Sequence, residues 1–138
     1  METNKKIKRL IDANLNRCRE GLRVVEDILR FVLNDEVLYK KVRKLRHNVD
    51  AVLRDYYEDL IKTRDIAKDC GRTILEAEKK TLLGIIAANL KRVQESLRSL
   101  EECSKIFLPK ASQDFKKQRY TTYNLEQDFF KLYKPDNK

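Results

Sequence analysis

IDANLNRCREGLRVVEDILRFVL occupies residues 11–33, and IAANLKRVQESLRSLEECSKIFL occupies residues 86–108. Set one above the other at an offset of 75, without a gap, the two segments agree at 10 of 23 positions. The shared frame is A-N-L-x-R-x-x-E-x-L-R-x-x-E. Apolar residues recur in it three and four positions apart, the spacing of one face of an α-helix. In the first copy they are Ile11, Leu15, Cys18, Leu22, Val25, Leu29 and Val32. A single pair of copies is too few for a solenoid. A helix packed against its own copy predicts a local twofold, with matching polar residues offered from both sides of the axis.

Working outward, the spacing predicts a first helix over 6–33, ended by Asn34-Asp35, with Asp35 as N-cap of the next. A second helix over about 36–61 carries the stripe Leu38, Val42, Leu45, Val49, Val52 or Leu53, Tyr56 and Leu60, close to the repeat of a helical bundle. Residues 62–73, KTRDIAKDCGRT, lose the stripe and read as the one substantial loop. Helix is expected again from about 75–80 through the second copy to 108, where Pro109 stops it. Ser112 reads as N-cap of a last helix over about 113–132, with Phe115, Thr122, Tyr123, Phe129 and Phe130 on one face. A tail follows from about 134. The expectation is all-α: one domain over 1–138, a bundle of four long helices with an internal helix repeat.

Composition agrees. Gly (3) and Pro (2) are scarce among 138 residues, and charged residues make up 38%. Good helix formers fill the stretches between them. The net charge of +9 suits either a well-solvated surface or a phosphate-rich partner. Cys18, Cys70 and Cys103 are odd in number and fit no metal spacing, so they read as reduced thiols of a cytoplasmic protein. No apolar run suggests a membrane span or a signal peptide. Standard nucleotide and metal motifs of the G-x-x-x-x-G-K-[ST] or H-E-x-x-H kind are absent.

Several polar residues fall where the helical period calls for apolar ones. Asn14 and its copy Asn89 lie inside the apolar arc, where an amide must be hydrogen-bonded. Each could fix helix register instead of binding a ligand. Arg17 and Arg92 sit on the flank of the stripe, with Glu20 and Glu95 as available partners. Arg23 and Arg98 point outward, with Glu26, Glu101 and Glu102 in reach. In the last helix Arg119 and Glu126 share the apolar face with Phe115. They are seven residues apart, roughly 10 Å, so each needs a partner from elsewhere or lines a cavity. In the loop, Asp65 and Asp69 beside Gly71 could either hold Mg²⁺ with a substrate phosphate or simply cap turns. His47 falls opposite its stripe and is expected to be exposed, and Arg46 flanks the stripe within a basic run.

As a set, RLIDANLNRCREGLRVVEDILRFVLND, LRH, RDIAKDCG, ANLKRVQESLRSLEE and RYTTYNLE resemble a helical domain of thiamine biosynthesis. That domain often lies N-terminal to a thiamine phosphate synthase barrel. It is regarded as an alternative hydroxymethylpyrimidine phosphate kinase, unrelated to the ribokinase-like enzyme. The resemblance spans roughly residues 8–127, and no barrel accompanies it. It implies ATP-dependent phosphorylation of hydroxymethylpyrimidine phosphate to the pyrophosphate, with ATP and Mg²⁺ as cofactors. Phosphoryl transfer needs phosphates held in line and their charge neutralised. On that chemistry Arg64, Asp65, Asp69 and Arg119 are assigned catalytic roles, with Asp65 and Asp69 on the metal. Asn14, Arg17, Arg46, Asn89, Arg92, Tyr123 and Glu126 are assigned to substrate. The alternative is a non-catalytic helical domain that binds pyrimidine or thiamine phosphates or docks on a separate thiamine phosphate synthase. A nucleic-acid-binding helical protein is disfavoured, because the charge is interleaved with 22 acidic residues and aromatics do not alternate with the basic ones. A homodimer stays open.

Overall fold

The computed structural model describes residues 2–78 and 81–134. It is all-helical, with five α-helices: α1 (Glu2–Phe31), α2 (Glu36–Val52), α3 (Tyr57–Ile61), α4 (Leu82–Phe107) and α5 (Pro109–Leu132). Short 3₁₀ turns cover Arg54–Tyr56 and Ile66–Lys68. No strand occurs among the described residues. The helices close a ring in which α1 packs on α4, α4 on α5, α5 on α2 and α2 on α1, and the α1–α4 interface is the most extensive. No helix among the described residues is long and apolar enough to cross a membrane.

The stripes read from the sequence form the core. Ile11, Leu15, Cys18, Leu22, Val25 and Leu29 of α1 meet Ile86, Leu90, Val93, Leu97 and Leu100 of α4. Leu38, Val42, Leu45 and Val49 of α2 and Phe115, Leu125 and Phe129 of α5 close the other sides. At Gly21 helices α1 and α4 come too close for a larger residue to fit freely. A Cβ there would lie 3.1 Å from Val93 Cγ2 and 3.6 Å from the Asn89 carbonyl oxygen. A helical glycine costs about 1 kcal/mol against alanine, and here the close approach of α4 accounts for it.

Helix α1 starts at Glu2, ahead of the expected residue 6, and four further boundaries differ for local reasons. Helix α1 ends at Phe31, not 33, so Val32 is exposed. Asn34 takes a left-handed φ of 51°, a conformation asparagine tolerates at a helix end. Asp35 then caps α2 as expected, accepting from the Leu38 N–H at 3.0 Å. The segment 36–61 is not one helix. The backbone leaves helical geometry at Leu53, with φ −116° and ψ 24°. Leu53 and Leu60, which share one face by helical spacing, both stay buried across the break. Helix α4 starts at Leu82, with the Thr81 hydroxyl accepting from the Gly84 N–H at 2.9 Å.

The last correction concerns Pro109, which opens α5 instead of only ending α4. Its fixed φ and missing N–H suit the first helical position, and extended Leu108 precedes it. Ser112 is therefore not a cap: it is buried, and its hydroxyl donates to the Glu101 carbonyl at 2.8 Å, tying the α4–α5 hairpin. The expected tail beyond Lys134 lies outside the described residues.

Three carboxylates are buried among the described residues: Asp12, Glu26 and Glu101. Each is met by an arginine from a later segment: Arg64, Arg46 and Arg119 respectively. Arg119, on the apolar face of α5 as expected, pairs with Glu101 at 2.9 Å and not with Glu126. It is only 8% exposed and Glu101 only 5%. Removing one partner of a buried pair costs about 3–5 kcal/mol, while replacing both with apolar side chains is near neutral. Arg119→Met alone should therefore lower the urea midpoint strongly. The double change Arg119→Met with Glu101→Leu should recover most of the loss.

Cys18 lies wholly within the α1–α4 interface. Burial pushes its thiol pKa from 9.0 up to about 12, with a hydrogen bond to Ser96 opposing. A pKa raised by folding means that the unfolded chain loses its proton first. Stability from this group is thus complete below about pH 9 and lost as pH rises toward about 12. Cys18→Val should flatten the alkaline fall in melting temperature. Alkylation of the folded protein should label exposed Cys70 well before Cys18.

A cationic cavity between helix α1 and the loop

A cavity of about 670 Å³ separates the N-terminal half of α1 from the loop that follows α3. Lys6, Arg9, Asp12 and Arg17 line it from α1, and Arg64, Asp65 and Asp69 from the loop. Positions 6, 9, 13, 16 and 17 share one helical face, so a single stripe of α1 presents these cations. The loop is positioned by polar contacts. Arg64 grips buried Asp12 with two parallel bonds, Nε to Oδ2 at 2.7 Å and Nη2 to Oδ1 at 3.1 Å, the fork geometry of a strong pair. Arg9 Nη2 donates to the Asp65 carbonyl at 3.2 Å.

The charges here play different parts. Asp12 and then Tyr57 hold the Arg64 pKa above its ordinary value through hydrogen bonds. In return, hydrogen bonds from Arg64 and Arg19 hold the Tyr57 phenol below its usual range. Arg64 is thereby fixed in place. Arg17 and Lys6 are exposed and make no ion pair or hydrogen bond among the described residues, so the Arg17–Glu20 pair that the spacing allows is not formed. Asp65 Oδ1 accepts from the Lys68 N–H at 3.3 Å, and Asp69 Oδ1 accepts from the Gly71 N–H at 2.9 Å. Both carboxylates therefore serve the turns. Their second oxygens are spared by the backbone, with Lys68 Nζ 3.9 Å from Asp65 Oδ2. No group of three or more His, Cys, Asp or Glu that could hold a metal occurs among the described residues.

Of the residues assigned from the sequence, the structure brings Arg17, Arg64, Asp65 and Asp69 together. The others lie elsewhere. Arg46 lies between α1 and α2, paired with Glu26. Arg119 donates to Glu101 and, through Nη1, to the Tyr123 hydroxyl at 2.9 Å. Arg92 pairs with Glu76 at 2.6 Å. Glu126 is half-buried on α5. Asn14 and Asn89 do not meet. Asn14 donates to the Leu10 carbonyl at 3.0 Å and Asn89 to the Ile85 carbonyl at 2.9 Å, each within its own helix. The Asn89 amide oxygen lies beside Gly21, about 10 Å along α1 from Asn14. His47 is exposed, as expected.

Three residues of consequence were missed or misplaced in the sequence: Asp12 was not singled out, and Glu26 and Glu101 were read only as surface partners of Arg23 and Arg98. The signal for two of them was present. Glu26 stands four residues after Leu22 and three before Leu29, inside the apolar stripe, and Glu101 repeats that position on α4. On the helix surface Arg98 pairs with Glu102, one of the partners expected above, whereas Arg23 pairs with Asp27 and not with Glu26.

The sequence pattern of the ThiD2 family matches residues 9–128, all but the two ends. The chain belongs to the ThiD2 family. Among similar proteins, a thiamine-phosphate synthase of a Nostoc species is 41% identical over 121 residues, covering 86% of this chain and 34% of its own. One from Thermosynechococcus vestitus is 38% identical over 125 residues, covering 88% and 35%. One from Rhodopirellula baltica is 40% identical over 101 residues, covering 70% and 27%. The chain thus spans about a third of the length of the curated relatives it matches. No solved structure gives a significant match.

With Asp12 buried and Arg64 its partner, Arg64→Ala should act as a structural change. It should cost about 1–3 kcal/mol in urea melts, because it strands buried Asp12 while water already reaches the exposed Arg64 side chain. Arg17→Ala removes an exposed, unpartnered side chain and should leave the melt within about 0.5 kcal/mol of wild type.

Proposed function

We propose that this chain is a helical domain of thiamine biosynthesis that binds a phosphorylated pyrimidine, hydroxymethylpyrimidine phosphate, in the cavity between α1 and the loop. In this reading it works beside a thiamine-phosphate synthase. The observation that carries the reading is the charge arrangement. Arg17 and Lys6, without partners among the described residues, flank an Arg64 already held by Asp12 and Tyr57. Fixed and free cations side by side suit a phosphate, which gains charge-assisted hydrogen bonds without reorganising the wall. Family membership and the thiamine-phosphate synthases among the relatives supply the pathway. The roles divide accordingly: Arg17 and Lys6 on the phosphate, Arg64 and Arg9 as the frame that holds the loop.

One observation favours a second reading, ATP-dependent phosphorylation of the bound monophosphate to the pyrophosphate. Asp65 and Asp69 each keep an oxygen that the backbone does not use, on the rim of the same cavity. Mg²⁺ usually takes one or two carboxylates with the remainder from substrate phosphates and water, so this donor set fits it. Bound there, the ion would neutralise phosphate charge. The acceptor is itself a phosphate oxygen, so the chain need supply no strong base. Exposed His47 is not asked to act.

Thermal melts test binding. Hydroxymethylpyrimidine phosphate at about a hundred times its Kd should add about 2.7 kcal/mol of stability. Arg17→Ala should weaken the ligand by about 1.5–3 kcal/mol, the range for hydrogen bonds to charged groups, while leaving the ligand-free melt in place. A wild-type melt that the ligand does not move would end the reading. Phosphorus NMR of the chain with ATP, Mg²⁺ and the monophosphate separates the two readings. Formation of ADP and the pyrophosphate ester, lost in Asp65→Asn and Asp69→Asn, would select the kinase. Binding without turnover would select the non-catalytic domain.

A further inference from the structure

The wall of the loop cavity holds one uncharged polar side chain, that of Asn16, which is half-buried. Its Oδ1 accepts from Arg19 Nη1 at 3.0 Å. A guanidinium only donates. The contact therefore fixes which way round the amide sits, with its oxygen toward Arg19 and its NH₂ turned from it. Arg19 is held in turn, by Asp50 at 2.8 Å and over the Tyr57 ring at 5.6 Å from the centroid. Asn16 Nδ2 has no partner among the described residues, and Oδ1 keeps its second lone pair. Asn14 differs, since its NH₂ is already spent on the Leu10 carbonyl.

Beside this amide the wall is apolar. Leu10 and Ala13 line the cavity from α1 and Ile66 lines it from the loop. All three are exposed, Leu10 by 44% and Ile66 by 68%. Apolar surface with a few fixed polar groups is the usual lining of a site for a flat organic ring. Asn16 and Arg17 stand three and four residues on from Ala13, so both adjoin it on one helical face. The methyl of Ala13 leaves room between the amide and the phosphate cation.

Resting on the reading of this cavity as a site for hydroxymethylpyrimidine phosphate, we infer that Asn16 determines which pyrimidine is accepted. It selects a ring that carries an amino group beside a ring nitrogen, as hydroxymethylpyrimidine does. Nδ2 donates to the ring nitrogen and Oδ1 accepts from the amino group, the two-bond pairing that asparagine makes with an adenine edge. Arg19 is a positioning residue that acts through this amide. In a deaminated ring the amino group becomes a carbonyl and the ring nitrogen gains a hydrogen. Oxygen then faces Oδ1, and N–H faces Nδ2. The ring cannot escape this by turning over, because its phosphate on Arg17 and Lys6 sets how it enters. The amide cannot turn over either, because Arg19 holds its oxygen.

Calorimetric titration of the full chain with hydroxymethylpyrimidine phosphate and with its deaminated counterpart tests this, since the two carry the same phosphate. Wild type should bind the amino compound at least about tenfold tighter. Asn16→Leu and Asn16→Asp should each bring the ratio of affinities close to one. The Asp variant keeps the acceptor for Arg19 and removes the donor. Its added negative charge opposes both phosphates alike and cancels in the ratio. Arg19→Met should lower the ratio by another route: the freed amide turns over, and the deaminated compound gains affinity. Asn14→Leu should keep the wild-type ratio. A ratio near one in wild type, or a tenfold ratio that survives in both Asn16 variants, would overturn the inference. So would an equal fall in Asn14→Leu, which would mark a disturbance of α1 and not a contact with the ring. In those cases binding that is lost on Arg17→Ala still supports the phosphate site. A wild type that binds neither compound ends that reading, and the role of Asn16 with it.

Discussion

An arginine reaching back to a carboxylate that an earlier helix has buried is the interaction on which this molecule turns. Glu26 takes Arg46, Asp12 takes Arg64 and Glu101 takes Arg119. Separately, none of these groups could be buried charged without a penalty of several kcal/mol. Together they fix where α2, the loop and α5 lie against α1 and α4. A fourth pair, Arg19 with Asp50 at 2.8 Å, adds to the seam between α1 and the chain that follows it. Exchanging such pairs for apolar residues often leaves stability unchanged or higher, so their presence calls for a reason beyond stability. Position supplies one. Arg64 ends at the cavity beside the loop and reaches it already oriented by Asp12. A guanidinium so held loses little further freedom when a ligand arrives. One device therefore sets both the placement of the segments and the readiness of the cations.

The two sequence copies have not kept this device equally. Glu26 and Glu101 match, but the arginines that meet them, Arg46 and Arg119, lie outside the repeated segments and do not fall at the same offset. Asp12 has Ala87 as its counterpart, so nothing on α4 anchors a loop arginine as Asp12 anchors Arg64. Gly21 corresponds to Ser96, whose buried hydroxyl turns back to the Val93 carbonyl at 3.0 Å. Arg119 donates to Tyr123 as well as to Glu101, whereas Arg46 donates to Glu26 alone. Each difference leaves the open polar surface on α1 and the closed, packed version on α4. The second copy serves mainly as the wall against which the first is held, and the cationic cavity borders α1.

Much of this could be read from the residues. The period of Leu15, Cys18, Leu22 and Leu29, repeated in Leu90, Val93, Leu97 and Ser104, fixed the helices and their inner faces, because burial of an apolar stripe dominates the energetics. Arg119 was legible as an inward charge, and the loop was legible from its lost stripe. The boundaries were less so. Pro109 is compatible with ending one helix or starting the next, and Leu108 in an extended conformation lets it do both. The break at Leu53 falls inside an unbroken stripe with no Gly or Pro beside it, so nothing local announces it. The site was only half legible. Arg17, Arg64, Asp65 and Asp69 assemble, but Asn14 and Asn89 satisfy themselves on their own helices, an option that any helical asparagine has. The partner of an inward arginine is a matter of which helices adjoin, and one-dimensional spacing does not reveal that Arg119 faces Glu101 instead of Glu126.

The loop itself can be understood from where it is tied. Arg64 and the Asp65 carbonyl are fastened to α1 through Asp12 and Arg9, and the Thr63 hydroxyl donates to the Leu60 carbonyl at 2.7 Å. From Ile66 through Glu78 every residue is exposed, including Ile66, Ile74 and Leu75. The wall of the cavity is thus firm at its start and lightly held thereafter. Few buried contacts imply a low free energy of local opening. A ligand bridging Arg17 on the helix and Asp69 on the loop, directly or through Mg²⁺, would tie down the part that the protein leaves loose. Binding there would couple to loop order, while Arg64, already paired, would stay where the fold puts it.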